Sequence, residues 1–198
     1  MGSTRKLAEF VCDTGFDDLP NDVINASYTA ILDSIGVQLL AAKAEPCAQI
    51  AKRYLLTQGG SEKCTVVGMN LKTSCENAAW ANGLLAHATD MDDGNRKGVN
   101  IHQTCVSLPP ALAVGELLKA SGRDVMTAYT LAADAMIKLA WATNPTHYYY
   151  IGYHSTGSLG TFAATLAAGK LLGLDADQME NALGTAASAA AGLRINMP

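Results

Sequence analysis

The sequence is short of charged residues, aromatic residues and basic clusters, and these shortages exclude several classes of function. Only 16% of its 198 residues are charged and 6% are aromatic. Lysine and arginine are scattered, and a net charge of -4 offers no basic surface for a row of phosphates. Nucleic acid is therefore not an expected partner. A small anionic substrate remains compatible, because local charge governs its binding.

Paired cysteines and long apolar runs are lacking too. The five cysteines contain no C-x-x-C motif and are odd in number, which predicts reduced thiols in a cytosolic protein. The first residues contain no apolar stretch of the kind a secretory signal needs. Prolines and polar residues interrupt the uncharged runs at 99–115 and 171–174. The sequence therefore predicts a soluble cytoplasmic protein that has no membrane partner.

The hydrophobic residues, 49% of the chain, follow a helical period and are numerous enough for a sizeable core. Apolar side chains recur every three or four positions between Ile24 and Leu39, which predicts one helix with an apolar face. Further helices are predicted at 46–57, 74–86, 109–119, 124–142, 157–172 and 177–193. The helix at 109–119 would open on Pro109-Pro110. The one strand-like segment is Cys64–Gly68.

The organisation of the chain favours a single domain. No repeat, low-complexity linker or Pro/Ser-rich boundary divides it. We therefore predict one all-α domain over residues 1–198, with at most a short β-hairpin. The last helix gives way to a new loop at 192–198, and this ending predicts that the helical domain is truncated.

Chemistry-bearing residues are concentrated between His87 and His102, where sixteen residues hold two histidines, three carboxylates and two cations. This segment follows an alanine-rich stretch that reads as a buried helix, a rigid support for a site. Asp90, Asp92 and Asp93 could serve as loop caps, as acid–base groups or as metal ligands. A calcium loop would need a later glutamate, and zinc usually takes histidines at shorter spacing.

Two histidines that are not part of a periodic apolar pattern are candidates for proton transfer. His102 lies in an uncharged run, and His154 lies between glycines at 152 and 157 that allow an exposed turn. Histidine is the side chain best suited to proton transfer near neutral pH. A core or helix-terminal role explains a lone histidine equally well. His147, beside three tyrosines, is interpreted as packing or as the wall of an entrance.

Three cations are candidates for binding a substrate carboxylate. Arg96 and Lys97 follow the acidic cluster, and Arg194 comes close to the end of the last predicted helix. Solvation at the surface is the alternative explanation for Arg96 and Lys97. No glycine-rich phosphate loop follows a strand, and the G-x-S-x-G motif of serine hydrolases is lacking.

The order and spacing of several segments resemble the MmgE/PrpD family, and the resemblance covers essentially the whole chain. The matching segments are Leu7–Val11 with Asp18–Pro20, Leu32–Val37, Ala81–Asp93, His102 with Leu108-Pro109, Gly152–Gly157 and Ala191–Arg194. The resemblance implies a helical domain that normally carries an α/β lid, in a homodimer that works without metal or organic cofactor. This chain would then be most of the helical domain, without the lid.

The resemblance also implies a function and a site. We expect a lyase of the 2-methylcitrate dehydratase type that acts on a small di- or tricarboxylic acid, with decarboxylation or epimerisation as alternatives. It places Asp90, His102 and His154 on catalytic positions, Asp93 beside them, and the family's lysine beyond residue 198. Gly94 replaces a common threonine, and the loop to His102 is slightly longer than usual. A metal-dependent lyase or hydrolase and an inactive helical dimerisation fragment are the rival hypotheses.

Overall fold

A computed structural model describes residues 2–95 and 99–196, which form eight α-helices and one antiparallel hairpin. The helices are α1 (Ser3–Asp13), α2 (Asn21–Ala44), α3 (Pro46–Gln58), α4 (Cys75–His87), α5 (Thr104–Leu118), α6 (Gly122–Thr146), α7 (Ser155–Leu171) and α8 (Ala176–Ala189). Strand β1 (Cys64–Val66) pairs with β2 (Leu71–Thr73) in the register Cys64 to Thr73. The prediction of a mostly helical fold with a short hairpin is confirmed.

The main core forms where α5, α6 and α7 pack together and α1 and α8 close one side. Small residues set the distance between these helices. A Cβ atom added to Gly160 of α7 would lie 2.9 Å from Cγ1 of Val106 in α5. This is closer than atoms can approach without a shift, so the glycine permits the contact. The same close approach brings the first turns of α5 and α7 together.

Helix α5 begins one turn earlier than the sequence predicted. It starts at Thr104, and Pro109 and Pro110 lie inside it. The prediction placed the prolines in the first turn because their missing N–H groups cost nothing there. In the structure Thr104 begins the helix instead, and its hydroxyl donates to Asp93 at 2.8 Å. The last predicted helix also ends earlier, at Ala189.

Helix α2 has an unusual distribution of side chains. Ser27, Ser34 and Gln38 are buried, and the Ser27 hydroxyl lies 2.8 Å from that of Thr130 in α6. Several large apolar side chains are exposed instead, with Leu32 74% exposed. Among the described helices, α2 alone is long and apolar enough to cross a membrane, with a mean hydropathy of 1.2. That test rests on length and composition, and the absence of a membrane partner stays a prediction.

Candidate active site

Three helix ends meet at the candidate site. His87 is the last residue of α4, His102 lies just before α5, and His154 is the N-cap residue of α7. The backbone N–H of His102 donates to Oγ1 of Thr156, in the first turn of α7, at 3.0 Å. This bond joins the two segments that carry the predicted proton-transfer histidines, although they are distant in the sequence.

We expect Thr156→Val to loosen this junction. The side chain is 3% exposed, so valine fits the space but leaves the N–H of His102 without its acceptor. A buried donor that loses its partner costs about 1–3 kcal/mol. Chemical denaturation should therefore show a loss of that size. Thr161→Val, later in α7, is the matched control, because its hydroxyl bonds only to the carbonyl of its own helix at 3.4 Å. Equal stability of the two variants would contradict the assigned role.

The buried carboxylate of Asp92 lies between two imidazoles. Its oxygens are 2.9 and 3.0 Å from Nδ1 of His87, and Oδ2 is 3.4 Å from Nδ1 of His102. The side chain is 1% exposed. Burial by itself raises the pKa of Asp92, but the contacts with His102 and His87 outweigh burial and hold the pKa well below its usual range. Asp92 is therefore an ionised acceptor at neutral pH.

A tight turn after α4 brings Asp92 back to His87. Asp90 has a left-handed backbone, with φ of 52°, and its N–H donates to the carbonyl of His87 at 3.2 Å. Asp and Asn tolerate this conformation better than other residues that carry a Cβ. The side chain of Asp90 is exposed and offers an oxygen within 4.8 Å of the donor atoms of His87, Asp92 and His102. The structure thus places Asp90 beside the histidine pair.

A cleft of about 600 Å³ opens beside these helix ends. His87 and His154 both line it, together with Trp80, Val106 and Thr156. His154 is half-buried, and this burial lowers its pKa below the usual 6.5, with a further lowering from the nearby His87 and His102. His154 is therefore neutral near pH 7 and able to accept a proton.

Asp93 does not line this cleft and contacts the start of α5 instead. Its Oδ2 accepts hydrogen bonds from Gln103 and from Thr104, and the Thr104 hydroxyl also lies 2.8 Å from that of Tyr129. Burial raises the pKa of Asp93. In the structure Asp93 therefore fixes the start of α5, and its contact with a substrate stays a prediction.

Of the predicted carboxylate-binding cations, the structure describes only Arg194. Its guanidinium lies over the ring of Tyr148, 4.6 Å from the centroid, and 5.5 Å from that of Tyr149. Its backbone N–H donates to the carbonyl of Gly152 at 2.8 Å. Arg194 thus holds the last segment against the turn before His154 and does not line the cleft. Arg96 and Lys97 lie outside the described residues.

His147 takes part in packing near the same turn. Its Nε2 lies 2.9 Å from the hydroxyl of Ser158, and its ring stacks on that of Tyr153 with 5.1 Å between centroids. Both contacts stabilise the turn that presents His154. This placement fits the packing interpretation of His147.

The donor atoms of His87, Asp90, Asp92 and His102 are close enough to raise the question of a metal site. These atoms lie within 4.8 Å of one another. Tetrahedral zinc with bonds of 2.0–2.1 Å would need separations of about 3.3 Å. The four donor atoms would have to move closer together, and bonds to the cation would have to replace the contacts between the imidazoles and Asp92. The residues thus form a compact polar cluster that tetrahedral zinc fits only after rearrangement.

Sequence reasoning did not assign two residues that the structure places at the centre of the site. His87 and Asp92 were part of the polar segment, but neither was selected as a site residue. The available signal was the position of His87 at the end of a predicted helix, followed by an aspartate-rich turn. Which of the three aspartates returns to the histidine depends on the left-handed backbone at Asp90, and that conformation is not readable from residue types.

Comparisons with known proteins agree with this architecture. A family model described as the MmgE/PrpD N-terminal domain matches residues 5–197. The chain is 29% identical over 197 residues to a cis-aconitate decarboxylase of Aspergillus terreus, covering 97% of this chain and 40% of that protein. It is 28% identical to the human cis-aconitate decarboxylase over 190 residues, covering 93% of this chain and 39% of the relative. The chain thus spans about two fifths of the length of these relatives.

Proposed function

This chain belongs to the MmgE/PrpD family, and we propose that its protein is a lyase that acts on a small di- or tricarboxylic acid. The observation that carries the proposal is the convergence of His87, His102 and His154, with Asp92, beside one cleft. Three imidazoles and an ionised carboxylate in one place suit a reaction that moves protons at carbon.

Decarboxylation of cis-aconitate is the reaction we favour, because the relatives named above are cis-aconitate decarboxylases. Loss of carbon dioxide leaves the electron pair of the broken C–C bond on the substrate, and a carbon atom then takes a proton from an acid on the enzyme. Dehydration of 2-methylcitrate is the reaction expected from the sequence. It would begin with a base that removes a proton from the carbon next to a carboxylate. Epimerisation removes a proton and returns one to the other face.

We assign His102 and His154 to proton transfer in this reaction, and Asp90 to orienting an imidazole or binding a substrate hydroxyl. His154 is neutral near pH 7 and lines the cleft, so it suits a base or, once protonated, an acid. The first turn of α7 also borders the cleft, and the side chain of His154 does not cap it. Unpaired N–H groups at a helix start favour a carboxylate. Asp93, Arg96, Lys97 and Arg194 remain proposed substrate contacts, although neither Asp93 nor Arg194 lines the cleft in the described structure.

Incubating the complete protein with candidate acids tests the proposal. The panel is cis-aconitate, 2-methylcitrate, citrate and an epimerisable dicarboxylate, followed by NMR of substrates and products. We expect loss of carbon dioxide from cis-aconitate. Turnover of 2-methylcitrate alone would keep the family chemistry but replace the favoured reaction, and no turnover of any acid would contradict the function.

A metal-dependent lyase or hydrolase is the second candidate, because the cluster of His87, Asp90, Asp92 and His102 offers four donor atoms. Chelation distinguishes the two functions. We expect the wild-type rate to persist after dialysis against a strong chelator. Loss of activity that returns on adding a divalent cation would favour the metal-dependent function.

We also propose that the complete protein forms at least a dimer through apolar helix faces. Tyr28, Leu32 and Leu39 on α2 are 60%, 74% and 51% exposed, and apolar side chains grouped on one surface are typical of an interface. We expect light scattering at micromolar concentration to give at least twice the mass of one chain. Leu32→Glu should reduce that mass, whereas Asp33→Ala beside it should not. A monomeric wild type would contradict this proposal.

A further inference from the structure

We propose that Asp92 is a positioning residue for two imidazoles at once and that His87, the ring it holds at the cleft, is a third histidine in contact with the substrate. The part concerning the substrate rests on the proposed function. The part concerning Asp92 does not, because it follows from the contacts within the protein.

The first step is the environment of the Asp92 carboxylate. It is almost fully enclosed, yet both oxygens lie within 3.0 Å of Nδ1 of His87, and one lies 3.4 Å from Nδ1 of His102. A buried carboxylate is costly unless donors surround it. The ring N–H of His87 supplies a hydrogen bond, and the ring of His102 adds an electrostatic contact at 3.4 Å, so these two rings allow an ionised group at this position.

The second step is the protonation of the two rings. An ionised carboxylate only accepts hydrogen bonds, so Nδ1 of His87, which lies 2.9 Å from it, carries a proton. In the neutral ring of His87, Nε2 is then left as the basic atom. Asp92 thereby selects the tautomer of His87 and limits the rotation of its ring, and its negative charge 3.4 Å from Nδ1 of His102 favours a proton on that atom too. The ring centroids are 4.7 Å apart, so one carboxylate keeps the two rings side by side.

The third step is access to the cleft. The side chain of His87 is 34% exposed and that of His102 is 12% exposed. His87 lines the cleft together with His154. His87 is therefore the more accessible member of the pair that Asp92 holds, and it shares the cleft lining with His154. A substrate in this cleft meets imidazoles from both α4 and the start of α7.

Histidine tautomers in the complete wild-type protein test the positioning role without any substrate. Nitrogen-15 NMR of labelled imidazoles distinguishes a protonated Nδ1 from a protonated Nε2. We expect the Nδ1–H tautomer in both His87 and His102, and its loss from at least one ring in Asp92→Asn. His147, which contacts Ser158 instead, is the internal reference. The Nε2–H tautomer at His87 of the wild type would overturn the positioning role.

Kinetics of the complete protein test the substrate contact. The side-chain amide introduced by His87→Asn can still donate to Asp92 but has no basic ring nitrogen, so we expect kcat to fall roughly 10²- to 10⁴-fold. Asp92→Asn should also lower kcat, with an upper limit of roughly 10⁴-fold, the loss for the equivalent change in a serine-protease triad. Asp134→Asn, on an exposed pair with Lys138, is the control for the same chemical change.

His87→Asn and Asp92→Asn test different parts of the proposal. Wild-type kcat in His87→Asn would overturn the substrate contact, and wild-type kcat in Asp92→Asn would overturn the positioning role. No turnover by the wild-type protein would instead be a failure of the proposed function, and the tautomer measurement would still decide the role of Asp92.

Discussion

Replacing His154 with alanine in the complete protein should lower turnover by roughly 10²- to 10⁴-fold, the usual loss for removing a general acid or base. His154 lines the cleft, and its half-buried ring has a lowered pKa. Its side chain makes no capping hydrogen bond with α7, so its removal should change the melting temperature by less than about 2 °C.

A matched histidine variant separates catalysis from packing in this test. His147→Asn changes a ring that packs on Tyr153 beside the same turn, and it should lower turnover far less than His154→Ala does. Wild-type turnover in His154→Ala would contradict the assignment. A fall in turnover that is matched by a large loss of stability would show that His154 acts through folding.

The lowered pKa of His154 also has a consequence for stability. In the unfolded chain the ring takes a proton near pH 6.5, whereas in the native state it does so only at lower pH. The unfolded state thus binds more protons in that interval, so stability is lost as the pH falls below 6.5 and through the native pKa. The melting temperature of the wild type should therefore fall more between pH 7 and 5 than that of His154→Ala.

The second large effect concerns His102 and its coupling to His154. His102→Asn should lower turnover by roughly 10²- to 10⁴-fold, because asparagine can keep a donor near Asp92 but cannot transfer the proton. Residues that act as one catalytic unit are strongly non-additive. The double variant His102→Asn/His154→Ala should therefore be about as active as the slower single variant.

Kinetics of the four proteins in this cycle decide between a shared and a separate role. If the two losses multiply in the double variant, the histidines act in independent steps, and the single-unit assignment is wrong. Circular dichroism of each variant confirms that the helices remain intact. The hydrogen bond from the His102 N–H to Thr156 uses the backbone, so neither substitution removes it.

The sequence predicted elements whose signals are local. The apolar period of α2 reads directly as a helix, and the helix predicted at 157–172 is α7. The start of α5 was missed because proline marks a first turn only on average. In the structure Thr104 begins the helix one turn earlier, held by Asp93.

The candidate site was harder to predict than the helices, because it depends on tertiary contacts more than on local sequence pattern. The resemblance to a family selected Asp90, His102 and His154. The structure places Asp90 beside His102. The ring of His154 is close enough to His87 and His102 for these two residues to lower its pKa. The structure does not bring Arg194 to the cleft, because stacking on Tyr148 holds its guanidinium elsewhere. Asp92 was missed because its role exists only after the turn at Asp90 has folded it between two rings.

The most direct measurement of the central claim is the reaction of the complete wild-type protein with cis-aconitate in heavy water, followed by NMR. A proton from an imidazole that exchanges with solvent should end on carbon, so the account predicts release of carbon dioxide and a product that carries one solvent deuterium on carbon. Unchanged cis-aconitate together with unchanged 2-methylcitrate, citrate and dicarboxylate, or a product without solvent deuterium, would contradict it.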